Sequence, residues 1–575
     1  MNNQAVYNIA EICARHGITD VVLSPGSRSA PLTLAFARHP ELTVRVVPDE
    51  RAAAFIGLGI AQAQQRAVAL VCTSGTAGLN YAPAVAEAFF QQIPLLIFTA
   101  DRPPEWIDQL DGQTIRQHNL FGAHAKGAYE FPVETEHPDA KWHSARIINE
   151  AINLAQAAPA GPVQVNVPLR EPFYPKADEE IRYEQDVKII RDDADVPSNT
   201  FYAEAHVSPP YNGLLNRILV VVGQHISDSS LAEALKEFAH QSGAIVVADS
   251  ISNLSADIPA IMSQDIFLSS ANEEFRESLR PGLLITFGKS LISKALKLYL
   301  RKYPAEQQWH LQPHSGQVAD VFRSLTKVIR TSPTVFLSDF AHEFSQELRV
   351  QAMPYGKLWR RANRQSSEFT STFFSDETQP FNEFSAFRHA LTALPESTAL
   401  HLANSMAVRY ANILGIPQGR QIEVFANRGT SGIDGCTSTA VGAALAQPNR
   451  PVVLLTGDVA FFYDRNAFWH NYPLPNLRVV LFNNHGGGIF RIIDGPRQQP
   501  ELEEFFETRQ QLTAENTARD FNLRYFPVSS FEELEAALPV FFATETGAAI
   551  LEVFTDSKTN AAFFEEYRAA VKNAF

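Results

Sequence analysis

The sequence predicts an α/β protein built from three consecutive, doubly wound parallel-sheet domains. The 575 residues are too many for one hydrophobic core. Short apolar runs rich in β-branched residues alternate with helical patterns, as expected for strands that helices cover on both faces. Two polar stretches, 177–200 and 351–375, separate the runs into three sets, and we interpret both as linkers. The predicted domains cover residues 1–180, 200–350 and 375–575.

Each predicted domain alternates strands with helices, and a helix over 51–65 follows the second strand of the first domain. The predicted strands cover residues 20–27, 44–50, 68–76, 94–101 and 163–168 in the first domain, 217–224, 244–250, 283–288 and 334–339 in the second, and 398–405, 421–429, 452–458, 477–484 and 548–556 in the third. Ligands of such sheets bind beyond the carboxyl ends of the strands, so these ends are the candidate sites.

Composition and charge exclude several classes of function. Apolar residues make up 45% of the chain and charged residues 19%, which is ordinary for a globular protein. The net charge of −15 provides no basic field for nucleic acid or anionic lipid. Three scattered cysteines are too few for a disulfide framework or a zinc site. The sequence contains no run of about 18 apolar residues, so no membrane span is predicted. We expect a cytoplasmic enzyme that acts on small molecules.

The polar tips of two predicted strands in the third domain indicate a metal site. Gly457 and Asp458 end one strand, and the next strand ends in the segment 483–487, Asn-Asn-His-Gly-Gly. The Asp458 carboxylate, the Asn484 amide oxygen and the Gly486 carbonyl are hard oxygen ligands of the kind that Mg²⁺ prefers. A glycine at 457 would let the backbone approach a diphosphate closely. The alternative is an ordinary βαβ unit with a polar end and no ligand.

This pattern resembles the thiamine diphosphate motif of the decarboxylase and acetolactate synthase superfamily, with Val459 in place of the usual Gly. Further segments are similar to one branch, the 2-succinyl-5-enolpyruvyl-6-hydroxy-3-cyclohexene-1-carboxylate synthases of menaquinone biosynthesis. They are LSPGSRSAPLTLAF (23–36), SGTAGLNYAPAVAEA (74–88), TADRPPEWID (99–108), QTIRQ (113–117), ANSMAVR (403–409), NRGTSGIDG (427–435) and NNHGGGIF (483–490). The resemblance implies a pyrimidine-binding first domain, a central domain, and a diphosphate-binding third domain.

The resemblance also implies a proton-transfer role for Glu50, which stands between a predicted strand and the helix that follows it. Such a carboxyl group would contact the pyrimidine ring of the cofactor, and burial would raise its pKa. From the residues alone, an acid that complements the helix dipole is the simpler interpretation. In the family this glutamate reaches the cofactor of another subunit, which implies a homodimer or a dimer of dimers.

By resemblance, thiamine diphosphate and its metal, Mg²⁺ with Mn²⁺ as an alternative, are held at the strand ends of the third domain. The implied cofactor residues are Asn404, Ser405, Gly432, Ile433, Gly457, Asp458, Val459, Asn484, Gly486 and Gly487, with Asp458, Asn484 and Gly486 as metal ligands. Ile433 would be the apolar wedge that keeps the cofactor bent. Plain core packing is the alternative for this isoleucine.

The implied reaction decarboxylates 2-oxoglutarate and adds the succinyl-semialdehyde carbanion to isochorismate in a conjugate (1,4) fashion. Both substrates are dicarboxylates, and arginine binds carboxylates in a bidentate manner, although a single surface arginine is usually only solvated. By resemblance, isochorismate would be bound by Ser27, Arg28, Gln113 and Lys294, and 2-oxoglutarate by Ser405, Arg409 and Arg428, with Arg102 serving either. Ile489 and Phe490 would wall the pocket, or else belong to the core.

Two positions depart from the pattern of this branch. Gly112 precedes Gln113 where some relatives have Asn, and Ala295 follows Lys294 where the family has Arg. One cationic contact is therefore missing, or is supplied by Lys289 or Lys297. Affinity for the second substrate is what these departures put in question.

Three other functions compete with this interpretation. An acetolactate synthase-like enzyme or a simple 2-oxo acid decarboxylase would share Glu50, Asp458 and Asn484 but would not need the arginines. A binding protein without catalysis would be expected to lack one of those three residues, and none is lacking. A flavoprotein is not predicted, because segment 220–225 lacks a complete dinucleotide-binding glycine pattern.

Overall fold

The computed structural model describes residues 3–175, 180–192, 214–376 and 378–575. The described strands form three six-stranded sheets, and every strand pair in them is parallel. The predicted fold class, three consecutive parallel α/β units, is therefore confirmed. The domain limits themselves, 1–180, 200–350 and 375–575, stay a prediction.

The first sheet has the strand order β2-β1-β3-β4-β6-β5. Its strands are β1 Asp20–Leu23, β2 Thr43–Val46, β3 Val68–Cys72, β4 Leu95–Asp101, β5 Gly127–Glu130 and β6 Val163–Pro168. The helices of this unit are α1 Gln4–Arg15, α2 Ala30–Ala37, α3 Glu50–Gln64, α4 Thr76–Asn80, α5 Ala82–Gln91 and α6 Pro138–Gln156.

The central sheet has a different order, β12-β11-β10-β7-β8-β9. Its strands are β7 Ile218–Val222, β8 Ile245–Ala248, β9 Ala260–Ile261, β10 Leu283–Phe287, β11 Gln307–Leu311 and β12 Leu325–Ile329. Its helices are α7 Ser229–Ser242, α8 Gln264–Ser270, α9 Glu273–Ser278, α10 Lys294–Lys302, α11 Pro333–Ala341 and α12 Gln346–Phe373.

The third sheet has the order β14-β13-β15-β16-β18-β17, which repeats that of the first sheet. Its strands are β13 Ala399–Leu402, β14 Glu423–Phe425, β15 Val452–Gly457, β16 Leu477–Asn483, β17 Arg524–Val528 and β18 Ala549–Phe554. Its helices are α13 Glu383–Thr392, α14 Met406–Leu414, α15 Cys436–Ala446, α16 Asp458–Tyr463, α17 Ile489–Ile492, α18 Glu515–Asp520, α19 Phe531–Phe542 and α20 Ser557–Ala574.

Strand β3 shows why the sheets read as continuous apolar runs. Its residues Val68 and Leu70 pack into one hydrophobic cluster, whereas Ala69 and Val71 pack into another on the opposite face. Because both faces are covered, no position in the strand is left for a polar side chain.

The predicted strand 334–339 is wrong: these residues lie in helix α11. Ser332 caps this helix by accepting a hydrogen bond from the Val335 N–H, and Pro333 occupies its first turn. Both features start helices. Phe336 and Phe340 then face the core of the central domain together, so the apolar run has helical and not strand periodicity.

The predicted linker 351–375 is also wrong, because most of it belongs to the 28-residue helix α12. Tyr355, Trp359 and Ala362 recur at helical spacing and are buried, while the polar residues between them face outward. The other predicted linker, 177–200, lies partly outside the described residues. Its part 180–192 contains no helix or strand and packs Val187 against the first domain.

Helices α3 and α15 join the first and third units. Gly59 of α3 lies against the Thr439 carbonyl, and Gly442 of α15 lies against the Ile56 carbonyl; an added Cβ would stand 2.1 Å from the facing oxygen in both cases. The two backbones therefore touch directly. In the described part of the chain, no helix has the length and apolarity needed to cross a membrane.

Candidate active site

The carboxyl ends of β15 and β16 place the predicted metal ligands at one edge of the third sheet. The two strands are parallel neighbours, with Gly457 paired to Phe482. Asp458 and Asn484 each follow directly after one of these strands. Asp458 also opens helix α16, so its carboxylate lies at the positive end of that helix.

Asp458 is buried, and its two carboxylate oxygens accept different hydrogen bonds. Oδ1 accepts from the Val459 N–H at 2.9 Å, and Oδ2 accepts from Gln510 Nε2 at 2.8 Å. Burial raises the pKa of Asp458 to about 6, against the lowering effect of its hydrogen bonds. A cation bound at this edge would lower the pKa of Asp458 again, because a nearby positive charge favours the ionised carboxylate.

Asn484 presents an amide oxygen that lacks a partner. Its Nδ2 donates to Glu383 Oε2 at 2.7 Å, while its Oδ1 is buried and has no hydrogen-bond partner among the described residues. The Gly486 carbonyl accepts one hydrogen bond, from the Gly488 N–H, and a carbonyl has a second lone pair. The Asn484 amide oxygen without a partner, the Asp458 carboxylate and the Gly486 carbonyl are oxygen ligands of the kind that Mg²⁺ prefers.

No group of three or more His, Cys, Asp or Glu side chains in the described ranges could hold a metal. The predicted ligand set of Asp458, Asn484 and the Gly486 carbonyl contains one carboxylate and is not a group of this kind. Magnesium sites next to phosphates commonly use only one or two carboxylates.

A cavity of about 200 Å³ opens at this edge, and most of the predicted cofactor residues line it. The predicted residues that line it are Asn404, Ser405, Ile433, Gly457, Asp458, Val459, Asn484, Gly486, Gly487, Ile489 and Phe490. A Cβ on Gly457 would meet nothing within 4 Å, so its place in the cavity wall leaves room for a bound group. Gly432 does not line the cavity, but its carbonyl accepts from Asn404 Nδ2 at 2.6 Å.

Two of the three predicted apolar residues of the wall also contact the core. Ile433 and Ile489 are partly buried and pack against the hydrophobic cluster of the third domain, and Phe490 contacts the Phe506 ring. Because Ile433 and Ile489 border both the cavity and the protein interior, their predicted roles in the cavity wall are compatible with a packing role.

Two of the predicted cationic residues lie in a second cavity that adjoins the first. Lys294 and Arg409 line this space of about 640 Å³, which shares Met406, Ile489 and Ile492 with the cofactor cavity. Arg428 lines neither cavity; its guanidinium donates to Asn404 Oδ1 at 2.9 Å.

The remaining predicted residues lie at the first sheet and do not line either cavity in the same chain. Arg28 is buried, donates to the Leu169 carbonyl at 2.9 Å and stacks on Phe173. Arg102 is paired with Asp111 at 2.7 Å. One chain therefore does not bring these arginines together with Arg409.

Ser27 and Gln113 also belong to this first-sheet group. The Ser27 hydroxyl lies 3.5 Å from the Tyr174 hydroxyl. Gln113 has a positive φ of 54°, and its backbone packs against Gly75, where an added Cβ would come within 3.3 Å. Gly112 has open space at its Cβ position.

Glu50 occupies the first turn of α3, and Asp49 caps that helix by accepting from the Arg51 and Ala52 N–H groups. Glu50 is half-buried. Burial raises its pKa, a backbone hydrogen bond lowers it, and the nearby Asp49 charge adds a smaller rise. The position therefore has the raised pKa expected of a proton-transfer group, while its role stays a prediction.

Two buried acids, Glu383 and Glu87, make contacts that no local sequence pattern indicates. Glu383 accepts from Asn484 across 101 positions, and burial raises its pKa to about 7, with the Asn484 hydrogen bond lowering it and the Asp458 charge raising it. Glu87 of the first domain is buried and accepts from the Gly429 and Thr430 N–H groups, both at 2.7 Å. Such partners are set by tertiary structure and not by local pattern.

A buried polar network connects the helices that bear Lys294 and Arg409. Asn412 of α14 donates to Asp265 Oδ2 at 2.8 Å and accepts from the Ser250 N–H at 3.0 Å. Asp265 Oδ1 accepts from Ser293, the residue that caps α10, at 2.6 Å. The helices that bear the two cationic residues of the second cavity are thus linked by one buried hydrogen-bond network.

Comparisons with known proteins agree with this architecture. Residues 4–121, 215–402 and 409–553 match the family models of the N-terminal TPP binding domain, the middle domain and the C-terminal TPP binding domain of thiamine pyrophosphate enzymes. Benzoylformate decarboxylase from Polynucleobacter necessarius has a similar fold, with a TM-score of 0.70 at 16% identity over 96% of this chain and 98% of that one.

Curated relatives match the whole chain. A 2-succinyl-5-enolpyruvyl-6-hydroxy-3-cyclohexene-1-carboxylate synthase of Cytophaga hutchinsonii is 44% identical over 100% of both chains. Synthases of the same name from Flavobacterium psychrophilum (38% identity, 96% of both chains) and Porphyromonas gingivalis (37% identity, 98% of this chain and 97% of that one) also match. These matches do not favour the acetolactate synthase-like alternative. The chain belongs to the 2-succinyl-5-enolpyruvyl-6-hydroxy-3-cyclohexene-1-carboxylate synthase family of thiamine pyrophosphate-dependent enzymes.

Proposed function

We propose that the protein decarboxylates 2-oxoglutarate and transfers the remaining succinyl-semialdehyde unit to isochorismate by conjugate (1,4) addition. The products would be 2-succinyl-5-enolpyruvyl-6-hydroxy-3-cyclohexene-1-carboxylate and CO₂, within menaquinone biosynthesis. The observation that carries this proposal is the 44% identity to a synthase of that name over the full length of both chains.

Thiamine diphosphate, when bound, supplies the group that stabilises the negative charge left by loss of CO₂. The residues of the third-sheet cavity would hold it, and Gly457, whose Cβ position is open, would leave room for the diphosphate. Asp458, Asn484 and the Gly486 carbonyl would bind Mg²⁺, or Mn²⁺ in its place. The orphaned amide oxygen of Asn484 supports this assignment.

Glu50 would hold and move the proton that activates the cofactor, acting on the cofactor of a second subunit. Two observations support this. Burial raises the pKa of Glu50. In addition, the described residues that line the third-sheet cavity all lie at or after Glu383. A homodimer, or a dimer of dimers, would supply the missing half of the site.

Arg409 and Lys294 would bind the carboxylates of the two substrates from the second cavity, since both side chains line it. Ser405 and Arg428 would complete the 2-oxoglutarate side, and Ser27, Arg28 and Gln113 of the partner's first domain the isochorismate side. Arg102, which is paired with Asp111, would serve either substrate. The described cysteines are buried and free, as a reducing cytoplasm permits.

The test is a two-substrate assay with thiamine diphosphate and Mg²⁺, following loss of isochorismate absorbance and release of CO₂. We expect both signals only when 2-oxoglutarate and isochorismate are present together. Turnover of pyruvate without loss of isochorismate would contradict the proposal.

Arg409→Met tests the substrate assignment in the same assay. We expect it to raise the KM for a dicarboxylate by about 10-fold or more, because a charge-assisted carboxylate contact contributes about 1.5–3 kcal/mol. Arg364→Met, an exposed arginine on helix α12, is the matched control and should leave KM unchanged. An equal effect of the two substitutions would contradict a specific role for Arg409.

A further inference from the structure

Glu383 lies directly behind the amide that is expected to bind the metal. Its side chain is only 6% exposed and lines the same cavity as Asp458 and Asn484. Glu383 Oε2 accepts from Asn484 Nδ2 at 2.7 Å and from Asn560 Nδ2 at 3.3 Å. Nothing in the proposed reaction uses this buried acid.

The amide of an asparagine has an acceptor end and a donor end of nearly equal size. Only the oxygen end can bind a cation. A neighbouring group must therefore fix which end of the Asn484 amide faces the site.

The hydrogen bonds around Glu383 fix this orientation, starting from a backbone N–H, which can only donate. The backbone N–H of Glu383 donates to Asn560 Oδ1 at 2.8 Å, which fixes the amide of Asn560. Asn560 Nδ2 must then point the other way, toward Thr555 Oγ1 at 2.9 Å and Glu383 Oε2. Oε2 is thus an acceptor, whether or not Oε1 carries a proton.

An acceptor at Oε2 requires the donor end of Asn484 to face it. The Asn484 oxygen is then turned away from Glu383, where it is buried without a partner in the described structure. Turning the amide over would place two oxygens against each other and would aim an NH₂ group at the cation. Gly488 packs closely on the same amide nitrogen, since an added Cβ there would lie 2.8 Å from it.

We propose that Glu383 is a positioning residue that fixes the Asn484 amide with its oxygen toward the divalent cation, a role that rests on the metal site proposed above. Glu383 binds neither substrate nor metal. Loss of the hydrogen-bond partner of a metal ligand typically lowers metal affinity by about 10–100-fold, and this is the effect expected here.

The experiment measures Mn²⁺ binding to the protein with thiamine diphosphate by electron paramagnetic resonance, which reports Kd without turnover. Glu383→Met removes the acceptor and keeps the volume, and we expect its Kd to rise by about 10–100-fold. Glu383→Gln keeps an acceptor oxygen and should stay within about threefold of the wild-type Kd. An equal loss in Glu383→Gln and Glu383→Met would assign the effect to charge and overturn the positioning role.

Asn484→Asp supplies the matched background, because either oxygen of a carboxylate can face the cation. We expect Glu383→Met to weaken Mn²⁺ binding in the wild-type background but not in the Asn484→Asp background. An equal loss in both backgrounds would mean that the substitution acts through packing, which would overturn the inference. Should Glu383→Met not fold, Glu383→Ala and Glu383→Leu make the same comparison.

Asp458→Ala separates this inference from the metal site on which it rests. Loss of Mn²⁺ binding in Asp458→Ala with none in Glu383→Met would overturn the positioning role alone. Unchanged binding in Asp458→Ala would overturn the metal site and the positioning role with it.

Discussion

The first and third sheets have the same strand order but present different chemistry at their carboxyl edges. In each, a helix follows the second strand in chain order: α3 after β2 and α15 after β14. The first edge offers a half-buried carboxyl group, Glu50, with a raised pKa. The third offers oxygen donors and glycines around a cavity. The two sheets therefore share a topology that leaves a place for a site, and the side chains near the strand ends give each place its own chemistry.

The contact between the two units fixes the position of Glu50 relative to the third unit of the same chain. Asp49 accepts from Asn466 Nδ2 at 2.8 Å, and Arg51 donates to the Tyr463 carbonyl at 2.8 Å. The residues that flank Glu50 are thus bound to the far end of α16 and to the turn after it. Asp458 begins that helix at its opposite end. Within a chain the two edges are joined, but their functional groups do not share the cavity.

The largest effect is expected at the third edge. Asp458→Ala removes the only carboxylate of the proposed metal site, so the Mg²⁺ concentration for half-maximal activity should rise by more than the roughly 100-fold that an outer partner can cost. A Mg²⁺ titration of activity checks this. An unchanged Mg²⁺ requirement would show that the metal binds elsewhere.

Glu50→Gln should affect the first edge alone. Loss of a positioned proton-transfer group should lower kcat by about 10²-fold or more, while the Mg²⁺ requirement stays as in the wild type. Steady-state kinetics at several Mg²⁺ concentrations separate the two effects. Near-normal kcat would rule out the proton-transfer role.

The direct contact of α3 with α15 predicts a loss of stability without a change in chemistry. Gly59→Ala would place a Cβ 2.1 Å from the Thr439 carbonyl, and overpacking of this kind costs about 1–3 kcal/mol. The Tm should therefore fall. Gly112→Ala, at a glycine with nothing within 4 Å of its Cβ position, is the control and should leave Tm nearly unchanged. Equal Tm values for the two variants would contradict the close contact.

Asp464 predicts a pH dependence for the same junction. Its carboxylate accepts from the Ser438 N–H and hydroxyl, and burial raises its pKa to about 7. Because the folded pKa lies above the unfolded value, the folded state holds the proton more tightly, and stability falls as pH rises through the folded pKa. Asp464→Asn should remove this loss, which should amount to about 1–3 kcal/mol between about pH 5 and about pH 8. Thermal unfolding at both pH values measures it; identical pH profiles would contradict it.

Much of the fold was predictable from the sequence, and the failures have physical causes. Buried strands such as β15 and β16 read as apolar runs because both faces are covered. The apolar pattern does not predict five strands, and four of them, β5, β9, β12 and β17, lie at sheet edges, where partial exposure permits polar residues. The fifth, β11, lies inside the central sheet, but its sequence Gln-Gln-Trp-His-Leu is not an apolar run. The apolar run in α11 resembles a strand in composition, but Ser332 and Pro333 start a helix there.

The candidate site was predictable only where a residue stands at a strand end. Asp458 and Asn484 do so, and Glu50 begins the helix that follows β2. Resemblance to a known family implies the roles of all three. Glu383 could not be found in this way, because it contacts Asn484 across 101 positions and opens an ordinary capped helix. The distribution of the arginines over two edges of the chain likewise depends on packing that no local pattern encodes.

The most direct test of two half-sites on different chains is complementation between two inactive variants. Glu50→Gln and Asp458→Ala subunits are mixed under conditions that exchange subunits, and the activity is compared with that of each variant alone. In a symmetric dimer, half of the mixed molecules are hybrids and each hybrid has one intact site, so activity should recover to about a quarter of the wild-type value. No recovery, with subunit exchange verified by mass spectrometry of the intact dimer, would contradict an active site shared between subunits.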